Sequence, residues 1–294
     1  MFCLALVSIR YGQICPVSKA AELLGERWTL LIIRELVLGT TRFNDFQRAL
    51  SQISPTLLTK RLNQLEEAGL VVRKTIPNQR RIEYHPTAAS KELKPIILGL
   101  GEWGMRWARG QMSDDELDVE MLVYDLQRRI DATQLPGGRT VIKFLFRGLP
   151  KFGHWWIVIE PDGTRVLCVH NPRLPVDIEL ITDLRTMSHV WAGDMDIRMA
   201  KETGRLELKG NPILMRTISS WLRPGTFAHI RPQSGPIPIK QSRGRIRKSA
   251  MQETKMEWSR AGMRRHRRES PTGRERGQRL SQFLEKGAEI YAKA

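Results

Sequence analysis

The apolar positions between residues 42 and 85 change their period partway along. Leu58, Leu62 and Leu65 stand at i, i+4 and i+7, with Leu57 beside them. That spacing predicts an amphipathic helix over residues 54–67 with one buried face. Ser54 is a suitable N-cap, Pro55 fits the first helical position, and Gly69 marks the stop. A shorter helix is expected over 42–50, joined to the longer one by a turn at 51–53. Beyond Gly69, residues 70–75 and 81–85 suit two strands of a hairpin around the polar tip Pro77, Asn78, Gln79 and Arg80. Helix, turn, helix and basic hairpin in this order form a winged helix-turn-helix, a shape that fits one helix into the DNA major groove.

At about 100° per residue, the side of the second helix opposite the leucines gathers Thr56, Thr59, Lys60 and Asn63, with Gln64 at its margin. Short polar and basic side chains without core duty suit base edges and phosphates. The wing adds Arg73, Lys74, Arg80 and Arg81, and Arg42 at the start of the first helix joins this DNA-facing set with Ser54 and Pro55. Arg61 falls near the leucine face, where an intramolecular ion pair competes evenly with a DNA contact.

Downstream the pattern changes. Residues 113–116 (Ser113, Asp114, Asp115, Glu116) read as a helix cap opening a new unit. Strands are expected over 141–146, 155–159 and 165–169, with a turn at Pro161, Asp162 and Gly163. A helix over 194–202, a strand over 205–209 and a helix over 212–222 complete an α+β region ending near Pro232. The expected division is a winged-helix DNA-binding and dimerisation domain (1–112), an α+β ligand or sensor domain (113–233) and a basic tail (234–294). The tail is rich in Arg, Gly, Ser and Pro and poor in apolar anchors, so disorder is its default.

Charge alters this picture less than its size suggests. The formal net charge is +17, but residues 234–294 hold 16 Lys and Arg against 6 Asp and Glu, a net of +10. The argument for DNA therefore rests on the winged module more than on overall charge. Cys3, Cys15 and Cys168 are too few and scattered for a disulfide framework or a metal site, which fits a reducing, cytoplasmic setting. No run approaches the roughly 20 apolar residues of a membrane span. No nucleophile elbow, phosphate loop, dinucleotide fingerprint or metal-ligand pair is found, so neither an enzyme nor a cofactor is expected. His154, His170, His189 and His229 stand without a carboxylate or cysteine at motif spacing.

Residues 11–107 resemble the HxlR-type family of bacterial winged-helix transcription regulators. The resemblance runs through Tyr11-Gly12-Gln13-Ile14-Cys15-Pro16-Val17, then Leu24-Gly25-Glu26-Arg27-Trp28-Thr29-Leu30-Leu31 and on to Leu36, with Gly39 and Arg42-Phe43. It continues with Ile53-Ser54, Leu57-Leu58, Arg61-Leu62, Leu65-Glu66, Ala68-Gly69-Leu70, Tyr84, Thr87, Leu93 and Leu100-Gly101-Glu102-Trp103-Gly104. Ser90 departs from it, since glycine is frequent there, with an effect expected only on the local helix start. The resemblance implies a homodimer on a near-palindromic operator in double-stranded DNA, with recognition helices roughly 34 Å apart. Repression is the family default.

In some members of that family the cysteine matching Cys15 senses oxidants or electrophiles. Pro16 starts a helix here, and its positive dipole end could lower the thiol pKa. The competing reading is a small buried core residue, which the lack of an evident resolving cysteine favours. Residues 119–232 are similar to sterol-carrier-protein-like domains, on Trp156, Val169, Asp183-Leu184-Arg185-Thr186, Val190-Trp191-Ala192-Gly193-Asp194 and Trp221-Leu222. That similarity implies a cavity for an apolar small molecule, which Val190, Trp191, Met195, Met199, Leu214, Ile218 and Trp221 could line; the competing reading is ordinary core. The alternative function is a lipid carrier whose winged module serves only dimerisation or protein binding.

Overall fold

The computed structural model describes residues 10–77, 81–109 and 113–233. The fold is mixed α+β, an N-terminal winged helix-turn-helix followed by a β-sheet-rich C-terminal region. The expected tail, and the wing-tip residue Arg80, lie outside the described residues.

The N-terminal part runs α1 (Pro16–Leu24), α2 (Thr29–Val37), α3 (Phe43–Ala49), α4 (Pro55–Glu67), β1 (Val71–Ile76), β2 (Arg81–Pro86), α5 (Ala88–Glu92) and α6 (Lys94–Trp103), which passes into a π-helical turn over Gly104–Ala108. In α4, Ser54 Oγ accepts from the Leu57 amide at 3.3 Å, and Pro55 occupies the first turn. Leu58, Leu62 and Leu65 are buried against Ile32, Ile33, Leu36 and Phe46 in the same core. Gly69 takes φ +71°, which lets the Leu70 amide return to Leu65 O at 2.8 Å and turns the chain into β1. The strands pair antiparallel from Val71 opposite Pro86 to Ile76 opposite Arg81. Ser90 reaches further than its place in the sequence suggests. It is fully buried, and its hydroxyl bonds to Leu70 O, tying α5 to the end of α4.

The C-terminal region opens with a capped 3-10 turn at Asp114–Glu116 and then α7 (Val119–Arg129), whose first turn donates the Met121 amide to Asp118 at 3.0 Å. Its sheet contains β3 (Thr140–Arg147), β4 (His154–Ile159), β5 (Arg165–Cys168), β6 (Ile178–Asp183) and β7 (Glu207–Gly210), in the order β5-β4-β3-β6-β7. Only the β3–β6 pair is parallel. Ile142, Phe144, Phe146, Trp155, Ile157, Ile178 and Leu180 belong to the core that the helices cover. Those helices are α7, α8 (Leu184–Ala192), α9 (Ile197–Glu202), α10 (Pro212–Arg216) and α11 (Ile218–Trp221).

Here the structure differs from the sequence reading in detail. β6 and α8 were hidden between clearer signals. The 194–202 helix begins only at Ile197, because Asp196 caps it through the Arg198 amide at 2.7 Å. The strand expected over 205–209 shifts to Glu207–Gly210. The 212–222 helix divides at Thr217, where Trp221 Nε1 takes the Leu214 carbonyl at 3.0 Å in place of a continuing helical bond.

One buried carboxylate joins the two parts. Glu35 on α2 is 1% exposed. It accepts from Arg34 (2.8 Å) and Thr40 Oγ1 (3.1 Å), and it pairs with Arg128 of α7. The Arg128 guanidinium lies 4.3 Å above the Tyr124 ring. Burial disfavours its charge, but Glu35 more than offsets this and the Arg128 pKa is raised. Ser51 donates to Asp118 across the same junction. Glu35→Leu leaves the half-buried Arg128 guanidinium with only Asp125, 3.9 Å away, as its counter-charge and should cost about 3 kcal/mol in urea unfolding. Glu35→Leu with Arg128→Met should recover much of that loss; equal losses in the two variants would show that the pairing is not what holds the junction.

Candidate nucleic-acid interface

The leucine register of α4 decides what faces outward. With Leu58, Leu62 and Leu65 in the core, Thr56, Thr59, Lys60 and Asn63 are exposed, and Gln64 is half-buried at the margin. Thr59 Oγ1 donates back to Pro55 O at 3.0 Å. Ser54 is half-buried with its hydroxyl committed to the cap, while Pro55 is exposed.

The basic residues divide into two groups. Arg42, Lys60 and Lys74 are exposed, and among the described residues they form no ion pair. Arg73 and Arg81 are engaged within the chain. Arg73 donates to Asn63 Oδ1 at 2.5 Å, pairs with Glu66 at 3.3 Å and lies 5.6 Å above Tyr84. It therefore clamps β1 of the wing to α4. Arg81 pairs with Glu83 at 2.8 Å, and Glu83 in turn sits opposite Arg42 in an isolated antiparallel bridge. The Tyr84 amide bonds to Thr41 O at 2.8 Å, so the wing is anchored to the entry of α3 as well.

Arg61 is held inside the protein. It is 9% exposed, donating to Arg27 O at 3.0 Å and Gln64 Oε1 at 2.7 Å and pairing with Glu26 at 2.7 Å. Of the two readings of Arg61, the intramolecular one describes the structure. The same bond occupies the Gln64 carbonyl oxygen. The Arg73 clamp could be anticipated only from the turn at Gly69, which returns the chain alongside α4.

Cys15 is the N-cap of α1 and is partly exposed rather than a buried core residue. The amides of Ser18 and then Val17 hold its pKa below the ordinary thiol value, although desolvation acts the other way. Burial pushes the Cys168 thiol up. In the C-terminal region Val190, Leu214, Ile218 and Trp221 are buried core, and Trp191 and Met195 pack partly against it. Met199 departs from this set. It is 55% exposed on the outer side of α9, because Ile197 and Ala200 take the inward positions. Neither of the two cavities described in the molecule is lined by these residues. His189 is not isolated, since its Nδ1 stands 3.2 Å from Asp194, which also pairs with Arg109. Among the described residues no helix is long and apolar enough to cross a membrane.

Residues 23–112 match the model of the HxlR-like helix-turn-helix family. An uncharacterized HTH-type transcriptional regulator of Bacillus subtilis, YvaP, is 38% identical over 98 residues, covering 33% of this chain and 91% of that protein. A second, sll1512 of Synechocystis sp., is 36% identical over 97 residues, covering 33% of this chain and 72% of that protein. Among solved structures, the oxidized form of the redox regulator HypR is similar at 33% identity, with a TM-score of 0.29, covering 31% of this chain and 94% of the other. Through the segment that carries its winged helix-turn-helix, the chain belongs to the HxlR-like helix-turn-helix family.

Proposed function

We propose that this protein is a homodimeric, sequence-specific DNA-binding transcriptional regulator, acting as a repressor. In each protomer the outer face of α4 enters a major groove of a near-palindromic operator. The observation that carries this reading is the outward polar face of α4, on which Lys60, like Arg42 and Lys74 elsewhere in the module, is exposed and forms no ion pair among the described residues. Free cations beside short polar side chains fit a polyanion whose base edges are read at close range. The names of the relatives, both HTH-type transcriptional regulators, support it. The same observation favours it over a lipid carrier whose winged module only dimerises.

The homodimer is supported by apolar side chains left exposed on the helices that flank the module. Ile14 and Val17 stand at the start of α1, and Ile96, Leu100, Trp103 and Trp107 on and beyond α6. Covering such a surface with a second copy removes it from water. The domain division at 112 and 233 belongs to the proposal. So does an apolar effector held by the sterol-carrier-like region. Val190, Leu214, Ile218 and Trp221 already fill the seam between its sheet and helices, so an effector would enter by displacing them; lipid extraction and mass spectrometry of the purified protein test for it.

With DNA from upstream of the protein's own gene, fluorescence anisotropy should show Lys60→Ala losing about 1–3 kcal/mol of discrimination between operator and scrambled DNA. Arg42→Ala and Lys74→Ala should weaken both DNAs alike and each reduce the salt slope by about one. Unchanged affinity and preference in Lys60→Ala would show that the reading face lies elsewhere. In light scattering the parent should run as a dimer and Trp103→Glu as a monomer with much weakened operator binding; a monomeric parent would remove the dimer from the proposal. Near neutral pH iodoacetamide should label Cys15 well before Cys168, since the thiolate is the nucleophile and the Cys15 pKa is lowered where that of Cys168 is raised. If Cys15 also tunes DNA affinity on oxidation, Cys15→Ser should resist the loss that diamide causes in the parent, and an equal loss would exclude it as the sensor.

A further inference from the structure

A half-open cavity of about 420 Å³ lies at the base of the wing, and none of its lining residues belongs to α4 or to the C-terminal region. The end of α2 contributes Leu36 and Val37, the end of β2 His85 and Pro86, and the start of the α5–α6 pair Lys91 and Lys94. Its volume falls in the range of small-molecule sites, roughly 300–1,000 Å³.

The lining has two characters. Val37 and Pro86, both partly exposed, make its apolar wall, with Gly39 and Thr41 beside them and the almost fully buried Leu36 behind. Lys91 and Lys94 stand at the rim, and no acidic residue lines the cavity. Among the described residues neither lysine forms an ion pair. The nearest carboxylate on the wing, Glu83, is 3.3 Å from His85 and also bound by Arg81, so it is committed elsewhere. A neutral apolar ligand would satisfy the wall and leave two ammonium groups idle. An inorganic anion would satisfy the ammonium groups and leave the wall wet. A molecule with an apolar body and one anionic end satisfies both.

We propose that this cavity binds a small amphiphilic carboxylate, an aromatic or short aliphatic acid. Its body lies against Val37 and Pro86, and its carboxylate is held by Lys91 and Lys94. The site does not depend on the C-terminal seam, nor on the DNA-binding proposal.

The experiment is isothermal titration of the full chain with 2-naphthoate, with 2-naphthamide as the uncharged analogue. Naphthoate should bind once per protomer, and naphthamide at least tenfold more weakly. Lys91→Gln with Lys94→Gln, both at exposed positions, should weaken naphthoate at least tenfold with an unchanged circular dichroism spectrum. No binding by the parent would overturn the proposal. So would equal binding by parent and double variant, which would place the probe on another apolar surface. If the parent fails to bind naphthoate while the double variant loses affinity for all DNA alike, the two lysines are phosphate contacts and the cavity is not a ligand site.

Discussion

Leu58, Leu62 and Leu65 can enter the core only together, because one helical stripe carries all three. Once they do, the orientation of every other residue on α4 is settled. Rotating the helix by one position would expose leucine and bury Lys60 or Asn63 without partners, a combination costing several kcal/mol. The cap at Ser54 and the left-handed turn at Gly69 fix where that helix starts and stops. The wing then follows from the turn, since Gly69 sends β1 back alongside α4, where Arg73 meets Asn63 and Glu66. A hydrophobic requirement inside the module thus produces a polar face outside it.

The buried Glu35 cluster extends this order into the rest of the chain. Its carboxylate serves α2 through Arg34, the following turn through Thr40 and the C-terminal region through Arg128. A charge so deeply placed is tolerated only with several partners, so each partner is held in place by the need to satisfy it. A second contact lies at α6, where Gly101 faces Phe227 so closely that a side chain at position 101 would collide with the ring. Events in the C-terminal region therefore meet the winged part at α2 and α6, as well as at the end of α3 through Ser51 and Asp118. Of these, α2 and α6 also form walls of the cavity at the base of the wing.

The winged module was legible in the sequence because its signals are local. Leucine period, Ser-Pro start, Gly stop and hairpin alternation each specify an element within a few residues. The face of α4 followed from the same period. What the sequence hid was long-range. Arg73 reads as a wing cation, yet Glu66 and Asn63 claim it once the chain turns back. Glu35 reads as an ordinary helix acid, and its partner Arg128 is 93 residues away. β6 and α8 abut without an intervening Gly or Pro turn to separate their periods, Asp183 ending one and capping the other. Met199 looked like its apolar neighbours, but in a six-residue helix one position decides inside from outside.

The claim at the centre of this account is that the outer face of α4 lies in the major groove. It is tested most directly by tethering an iron chelate to a cysteine at position 56, with Cys3, Cys15 and Cys168 replaced by serine, and mapping DNA cleavage on the bound operator. The account predicts two cleavage tracts separated by about one helical turn, roughly 34 Å, each centred on a major groove. Diffuse cleavage along the duplex from position 56, with focused cleavage only from a tether on another helix, would contradict it.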